Sequence, residues 1–349
     1  MPGSDPFAAE LLEQGASGYA AAAAEQLLGA SPGQPEDFGR WKQHFVQRLL
    51  ELAAAVGSGE PRLFAERALW TLRAMEARDI PADQTRLSLE ALREALVEEL
   101  PEQAKPVPLA CVDAALEAVK VPPPPEPAGL DPDRPTDRLA LGYLQRVLEG
   151  DVIGAIDRLA ESIRNGLSVE SAYIDVLMAA QREVGRMWHL DQITIGEEHL
   201  VTTTTHRAMA VLASQTPRRP SRGRTAVAAA VAGNPHEIGI RAIAHLFEID
   251  GWRTIYLGND MPADDLPGVV QFFAADLVLL SCTLSVHLRA LRQTVERLRG
   301  QRDSAVKIMV GGYVFRDAPD LWRDLGADGY APDARAALKI AADLAAAQI

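Results

Sequence analysis

Apolar residues in this chain follow a helical period up to about residue 215 and then change to short continuous runs. Within residues 137–215, Leu139, Tyr143, Leu144 and Val147 recur at helical spacing, and Val152, Ile156, Leu159 and Ile163 follow after Gly150. That spacing predicts helices with one buried face. A third helix is expected from about Ser168 to Trp188, with Leu167, Ala172, Ile174, Leu177, Val184 and Trp188 toward the core. Asp191-Gln192 reads as a turn. Thr194-Ile195-Gly196-Glu197 then reads as a capping box, which puts Glu198 and His199 in the first turns of a fourth helix.

From Thr225 onward the apolar runs are Thr225–Ala232, Arg253–Leu257, Asp276–Leu280 and Lys307–Val310, with a weaker one near Gly329-Tyr330. A helical stretch follows each run. Strands alternating with helices predict an α/β doubly wound domain with a five-stranded parallel sheet. In the flavodoxin-type order 2-1-3-4-5, ligands enter the crevice between strands one and three, at the carboxyl ends of the strands. His236 follows strand one, Ser281 ends strand three and Gly311-Gly312 follows strand four, so all fall on that edge.

The ends and joints complete the division. Residues 1–120 are rich in Ala, Leu and Glu and read as helices broken at Gly29–Pro35, Gly57–Pro61, Asp79–Pro81 and Pro101–Pro108. Residues 121–136 hold seven of the 23 prolines, which predicts a semi-rigid extended spacer. The expected domains are therefore an all-helical 1–120, the spacer 121–136, a four-helix segment 137–215 and a Rossmann-like 222–349, with the basic stretch Pro217–Arg224 as the last linker.

Composition narrows the function. At 349 residues the chain has room for two or three cores. A net charge of −13 argues against nucleic acid as the main partner, so no direct DNA binding is expected. Two cysteines, Cys111 and Cys282, make no metal-type pair and no disulfide framework. The amino terminus lacks a signal pattern and no apolar run reaches the ~18–20 residues of a membrane span. A cytoplasmic protein without a membrane partner is the expectation.

Candidate chemistry concentrates in two clusters. Six of the seven histidines lie between residues 189 and 287. One cluster is Trp188-His189 with Glu198-His199 ten residues beyond the tryptophan; the other is Asn234-Pro235-His236-Glu237-Ile238-Gly239. An imidazole on a loop beside a ligand crevice suits a borderline metal, and Asn234 could fix its tautomer through the other ring nitrogen. A lone loop histidine more often has no ligand; Ser281 and the diglycine on the same edge reverse that balance. Trp188 alone would be a core aromatic, and Glu198-His199 alone a solvated helix start favoured by the dipole. Neither a zinc-protease helix nor a nucleophile elbow is present, and no phosphate-binding glycine motif occurs.

These residues resemble the cobalamin-binding module shared by methionine synthase, corrinoid methyl carriers and cobalamin photoreceptors, in which a four-helix cap precedes a Rossmann-like domain. The resemblance covers about residues 137–349. Asn234 through Gly239 match that family's D-x-H-x-x-G motif apart from the first position. It implies that His236 is the lower axial cobalt ligand, displacing the dimethylbenzimidazole base, and that Asn234, Glu237, Ile238 and Gly239 belong to the same site. It also implies that Ser281, Thr283, Leu284, Gly311 and Gly312 line the pocket for the displaced tail. An amide at 234 orients the imidazole without supplying the charge of a carboxylate.

The cap carries a W-x9-E-H pattern, which resembles adenosylcobalamin photoreceptors of the light-controlled repressor type. The resemblance implies that Trp188 and Ile195 pack against the upper adenosyl group, Glu198 hydrogen-bonds it, His199 supports the pocket, and His189 binds cobalt after light breaks the cobalt–carbon bond. It implies a light-sensing protein rather than an enzyme, with light-dependent homo-oligomer assembly and a downstream effector to be found. Residues 1–120 do not resemble the helix-turn-helix domain of those repressors. Trp41, His44, Phe45, Phe64, Trp70, Arg62, Arg67, Arg73 and Arg78 read first as an apolar bundle core with solvated charges. A helical domain ahead of this module is also similar to the photocobilins, which implies biliverdin beside adenosylcobalamin; those aromatics could then pack on its rings and those arginines pair with its propionates. Cys111 is either a thioether site or, more simply, a buried cysteine. The competing readings are a corrinoid methyl carrier for a methyltransferase and a cobalamin-responsive regulator that binds another protein.

Overall fold

The computed structural model describes residues 3–30, 35–121, 129–301 and 306–346. The amino-terminal region folds as α1 (Pro6–Gln14), α2 (Ala16–Ala30), α3 (Pro35–Ser58), α4 (Pro61–Glu76), α5 (Ala82–Glu99) and α6 (Pro106–Ala118). Prolines open α1, α4 and α6, where the missing N–H costs nothing. The expected breaks at Gly57–Pro61 and Asp79–Pro81 are present, while α6 starts at Pro106 and so absorbs part of the predicted Pro101–Pro108 break. Residues 31–34 of the break at Gly29–Pro35 and residues 122–128 of the proline spacer lie outside the described residues.

Next come α7 (Pro135–Leu148), α8 (Val152–Arg164), a helix built of α9 (Val169–Ser171), a π-helical stretch (Ala172–Leu177) and α10 (Met178–His189), and then α11 (Ile195–Gln215). Asp151 and Ser168 cap α8 and α9 with their side chains. The capping box forms at the start of α11: Thr194 Oγ1 accepts from the Glu197 N–H at 3.3 Å, and Glu197 Oε2 accepts from the Thr194 N–H at 2.7 Å. Asp191, with φ of +57°, turns the chain before it. The π-helical turn interrupts a stretch whose apolar spacing reads as plain helix.

The remainder is β1 (Thr225–Val231), α12 (Ile238–Ile249), β2 (Arg253–Met261), α13 (Leu266–Phe273), β3 (Leu277–Ser281), α14 (Leu288–Arg299), β4 (Lys307–Gly311), the short α15 (Val314–Asp317) and α16 (Leu321–Asp324), β5 (Gly329–Ala331) and α17 (Ala334–Ala346). The sheet is parallel in the expected order β2-β1-β3-β4-β5. All seven residues of β1 are buried, as a central strand covered on both faces requires. β2 runs four residues further than predicted, to Met261, and its pairing with β1 carries register irregularities near Gly258, whose φ is +85°.

Two units emerge. One comprises Met1–Pro125 with the segments Leu284–Arg289 and Val314–Leu321; the other comprises Glu126–Thr283, Ala290–Tyr313 and Trp322–Ile349. The four-helix segment and the sheet therefore fold as one unit. Their shared core joins Tyr143, Leu159, Tyr173, Leu177 and Met209 to Ala242 and Leu246 of α12 and Ala334 of α17. Polar ties reinforce it: the Tyr173 hydroxyl donates to the Met209 carbonyl and lies 3.0 Å from His245 Nδ1, while Arg335 pairs with Glu170 and Asp175. The predicted linker Pro217–Arg224 is pinned to the end of α12 through Arg218–Glu248, Arg219–Asp250 and Arg222–Asp250. Among the described residues no helix is long and apolar enough to cross a membrane.

Candidate functional site

The site grows from a row of small residues at the carboxyl edge of the sheet. Ala230 of β1 is in register with Ser281 of β3, Ser281 with Gly311 of β4, and Gly311 with Ala331 of β5. Large side chains on this row would fill the crevice at the switch point between β1 and β3. Gly312 closes the row with φ of +119°, and a Cβ there would stand 2.0 Å from the Cys282 carbonyl oxygen. Only glycine lets the turns after β3 and β4 meet this closely.

The loop after β1 carries the candidate ligand. Gly233 N–H donates to Asp260 Oδ1 at 2.7 Å, and Asn234 N–H donates to the Val231 carbonyl at 3.0 Å. The Asn234 side chain is fully buried, and its Nδ2 donates to the Ser281 carbonyl at 3.1 Å and to Thr283 Oγ1 at 3.4 Å. Its Oδ1 lies 3.2 Å from both the backbone N and Nδ1 of His236. An amide oxygen only accepts, so Nδ1 carries the proton and Nε2 keeps the lone pair a metal needs. Burial holds the His236 pKa below its usual value, with the Glu198 carboxylate pulling the other way. The ring is neutral near pH 7 and a competent ligand.

On the cap, Glu198 has close partners of its own. Glu198 Oε2 lies 2.5 Å from His199 Nδ1, and its Oε1 accepts from Thr202 Oγ1 at 2.7 Å. Thr202 Oγ1 also lies 3.2 Å from Gln181 Oε1, Gln181 Nε2 donates to Thr205 Oγ1, and Thr205 meets the Tyr143 hydroxyl. Glu198 is thus held by a polar chain running into the four-helix core. Trp188 packs against that core partly buried, Ile195 is 56% exposed and His189 is buried. Leu284, grouped by sequence with the crevice residues, falls in the amino-terminal unit.

The amino-terminal candidates divide. Trp41, His44 and Phe45 form one aromatic group, Phe64 is core, and Trp70 lies under the Arg67 guanidinium at 4.2 Å. Arg62 pairs with Glu66, and Arg78 donates to the Ala74 carbonyl. Sequence reading missed the buried set beside them: Arg48 pairs with Glu51 and donates to Thr71 Oγ1 at 2.7 Å, and Arg67 shares Glu51. Burial lowers the His44 pKa to about 3, helped by Arg48. Cys111 is buried, which pushes its thiol up to about 11 and favours the simpler of its two readings. Other residues missed are Gln181, Thr202 and Thr205, which extend the Glu198 contacts, and His206 and Tyr256, which meet Glu237. Thr202, Thr205 and His206 stand four, seven and eight positions beyond Glu198, a helical spacing that could have placed them on its face.

No group of three or more His, Cys, Asp or Glu converges among the described residues. One well-oriented neutral imidazole therefore fits a metal whose other positions are filled by a non-protein ligand, as in a corrinoid. A parallel sheet with an imidazole loop at its switch point and a four-helix cap in the same unit defines the class: a Rossmann-like B12-binding fold.

The B12 binding domain family matches residues 224–339, and a second B12 binding domain family matches residues 139–213. Dimethylamine corrinoid protein 3 of Methanosarcina mazei is 32% identical over 119 residues, 33% of this chain and 69% of that protein. The HTH-type transcriptional repressor CarH of Myxococcus xanthus is 30% identical over 145 residues, 42% of this chain. The chain spans about half of that repressor, 48% of its length. The solved monomethylamine corrinoid protein of Methanosarcina barkeri shares the fold, with a TM-score of 0.53 at 20% identity over 60% of this chain and 99% of that one. The chain belongs to the B12-binding domain family, and its cofactor is a cobalamin-type corrinoid.

Proposed function

We propose that this protein is a light sensor that holds adenosylcobalamin between its four-helix cap and its Rossmann-like domain. The observation that carries the reading is that the W-x9-E-H cap and the loop on which Asn234 orients His236 fold within one unit. Bound there, the cofactor would supply a cobalt–carbon bond that visible light breaks. His236 would hold the metal from below through Nε2, with Asn234 fixing the ring. Trp188 and Ile195 offer apolar surface to a nucleoside on the upper side, and Glu198 offers it an acceptor. His189 would be the cap residue that holds the metal once that nucleoside has gone; because it is buried, its approach would require the end of α10 to shift. That shift is the signal, read as a change in self-association or in contact with an effector protein.

In the amino-terminal unit, a bilin such as biliverdin would take its carboxylate partners from Arg62, Arg67, Arg73 and Arg78 and its aromatic walls from Trp41 and Trp70. The alternative is a methyl carrier, favoured by the extent of the match to the dimethylamine corrinoid protein. Loading the full chain with adenosylcobalamin and biliverdin tests these readings together. Green light should change the cobalamin absorption and the elution volume, and a red band should report the bilin. Unchanged spectra and elution, with preferential uptake of methylcobalamin and turnover alongside a methyltransferase, would replace the sensor with the carrier.

A further inference from the structure

Glu237 directly follows the candidate cobalt ligand and stands at the N-cap of α12, yet its carboxylate does not cap that helix. The longer glutamate side chain reaches past the first turn to other partners. Here Oε2 accepts from the Tyr256 hydroxyl at 2.8 Å, and Oε1 accepts from Arg241 Nη2 at 3.1 Å. Arg241 also lies over the Tyr256 ring, 5.1 Å from its centroid, so the three side chains form a closed triangle. Tyr256 belongs to the edge strand β2, two residues before Gly258 in the irregular stretch. From the cap, His206 Nε2 of α11 approaches Glu237 Oε1 to 3.6 Å, too long for a hydrogen bond and close enough for a small shift of α11 to make one.

Two atoms argue that this cluster is more than packing. His206 Nδ1 and Arg241 Nε are buried without a hydrogen-bond partner, whereas a polar network kept only for stability is normally satisfied. The triangle also lies one peptide bond from His236. The cluster thus anchors the residue next to the candidate ligand to both β2 and α12.

We propose that Glu237, Arg241 and Tyr256 act as a strut that sets the height of the His236 ring, with His206 as the point where the cap bears on it. They are positioning residues and act through His236. The strut accounts for a carboxylate after the ligand that is tied to β2 and α12, and it would couple movement of α11 to the His236 ring. This inference rests on His236 being the cobalt ligand.

The test uses the full chain loaded with cob(II)alamin and read by electron paramagnetic resonance, where splitting by one nitrogen marks an axial imidazole. Tyr256→Phe and Glu237→Gln should both bind one cobalamin per chain while the nitrogen-split fraction falls at least threefold, and Glu237→Asp should restore part of it. Wild-type splitting carried unchanged into both variants overturns the strut while leaving the ligand assignment intact. Loss of cobalamin uptake in both variants without recovery in Glu237→Asp also overturns it, because the cluster is then packing. A wild-type spectrum without nitrogen splitting removes the ligand assignment itself, and the strut with it.

Discussion

Asn234 Oδ1 lies 3.2 Å from both the backbone N and the Nδ1 of His236, while the same amide reaches across the sheet edge to the Ser281 carbonyl. One buried side chain thus ties strand β1, strand β3 and the ring that faces the crevice. A carboxylate could accept from His236 equally well. It could not donate to Ser281. Asn234→Asp should therefore make the imidazole a stronger ligand but leave an anion against a carbonyl oxygen, at a cost of about 1–3 kcal/mol to the cofactor-free fold. Denaturant unfolding should show the loss. Asn234→Ala should instead weaken cobalamin binding by about tenfold to hundredfold, as removal of an orienting partner does.

Gly312→Ala tests the closure of the small-residue row. With φ at +119° and a Cβ placed 2.0 Å from the Cys282 carbonyl oxygen, no rotamer relieves the clash. The turn after β3 or β4 must move, at a cost of roughly 2 kcal/mol or more. Cobalamin uptake should fall along with the unfolding midpoint. A variant of unchanged stability would show that the two turns are not held this closely.

Much of this was legible beforehand. The strand runs, the sheet order, the capping box at Thr194 and the turn at Asp191 rest on local rules of period and capping, which short sequence windows carry. The candidate ligand was legible because the switch point of a doubly wound sheet follows from strand order. The π-helical turn at Ala172–Leu177 was not, since its apolar residues keep a helix-like spacing. The Glu237–Tyr256–Arg241 triangle was hidden for another reason. It joins residues nineteen positions apart through a crossover, and charged residues near a helix start look like solvated surface. Arg48 and Glu51 were equally opaque, because a buried ion pair and an exposed one have the same spacing along a helix.

Acid sensitivity follows from two histidines whose folded pKa values are depressed. Burial lowers His245 to about 4, and Arg241 adds to it; His44 is lowered to about 3. Each takes up a proton near 6.5 when unfolded, so below that pH the unfolded chain binds more protons than the folded one. Stability should fall as pH drops from 6.5 toward 4 for His245, and toward 3 for His44. Urea midpoints of His245→Gln and His44→Gln should lose less over this range than the wild type does. Parallel slopes in all three proteins would contradict the assignment.

Thr194→Ala removes one half of the capping box and should cost about 0.5–2 kcal/mol. Because Glu198 lies one residue beyond Glu197, the frayed start of α11 should also loosen the Glu198–Thr202 contact. Hydrogen exchange should quicken in the first turn of α11 and spare its middle. Uniform protection along the helix would show that the box does not hold its start.

The most direct measurement compares wild type and His236→Ala, each loaded with adenosylcobalamin in the dark and recorded before and after green light. Wild type should show the absorption of imidazole-coordinated cobalt, altered by illumination, and His236→Ala should show the spectrum of cobalamin lacking a lower nitrogen ligand. Identical dark spectra that green light leaves unchanged would contradict both the ligand and the sensor.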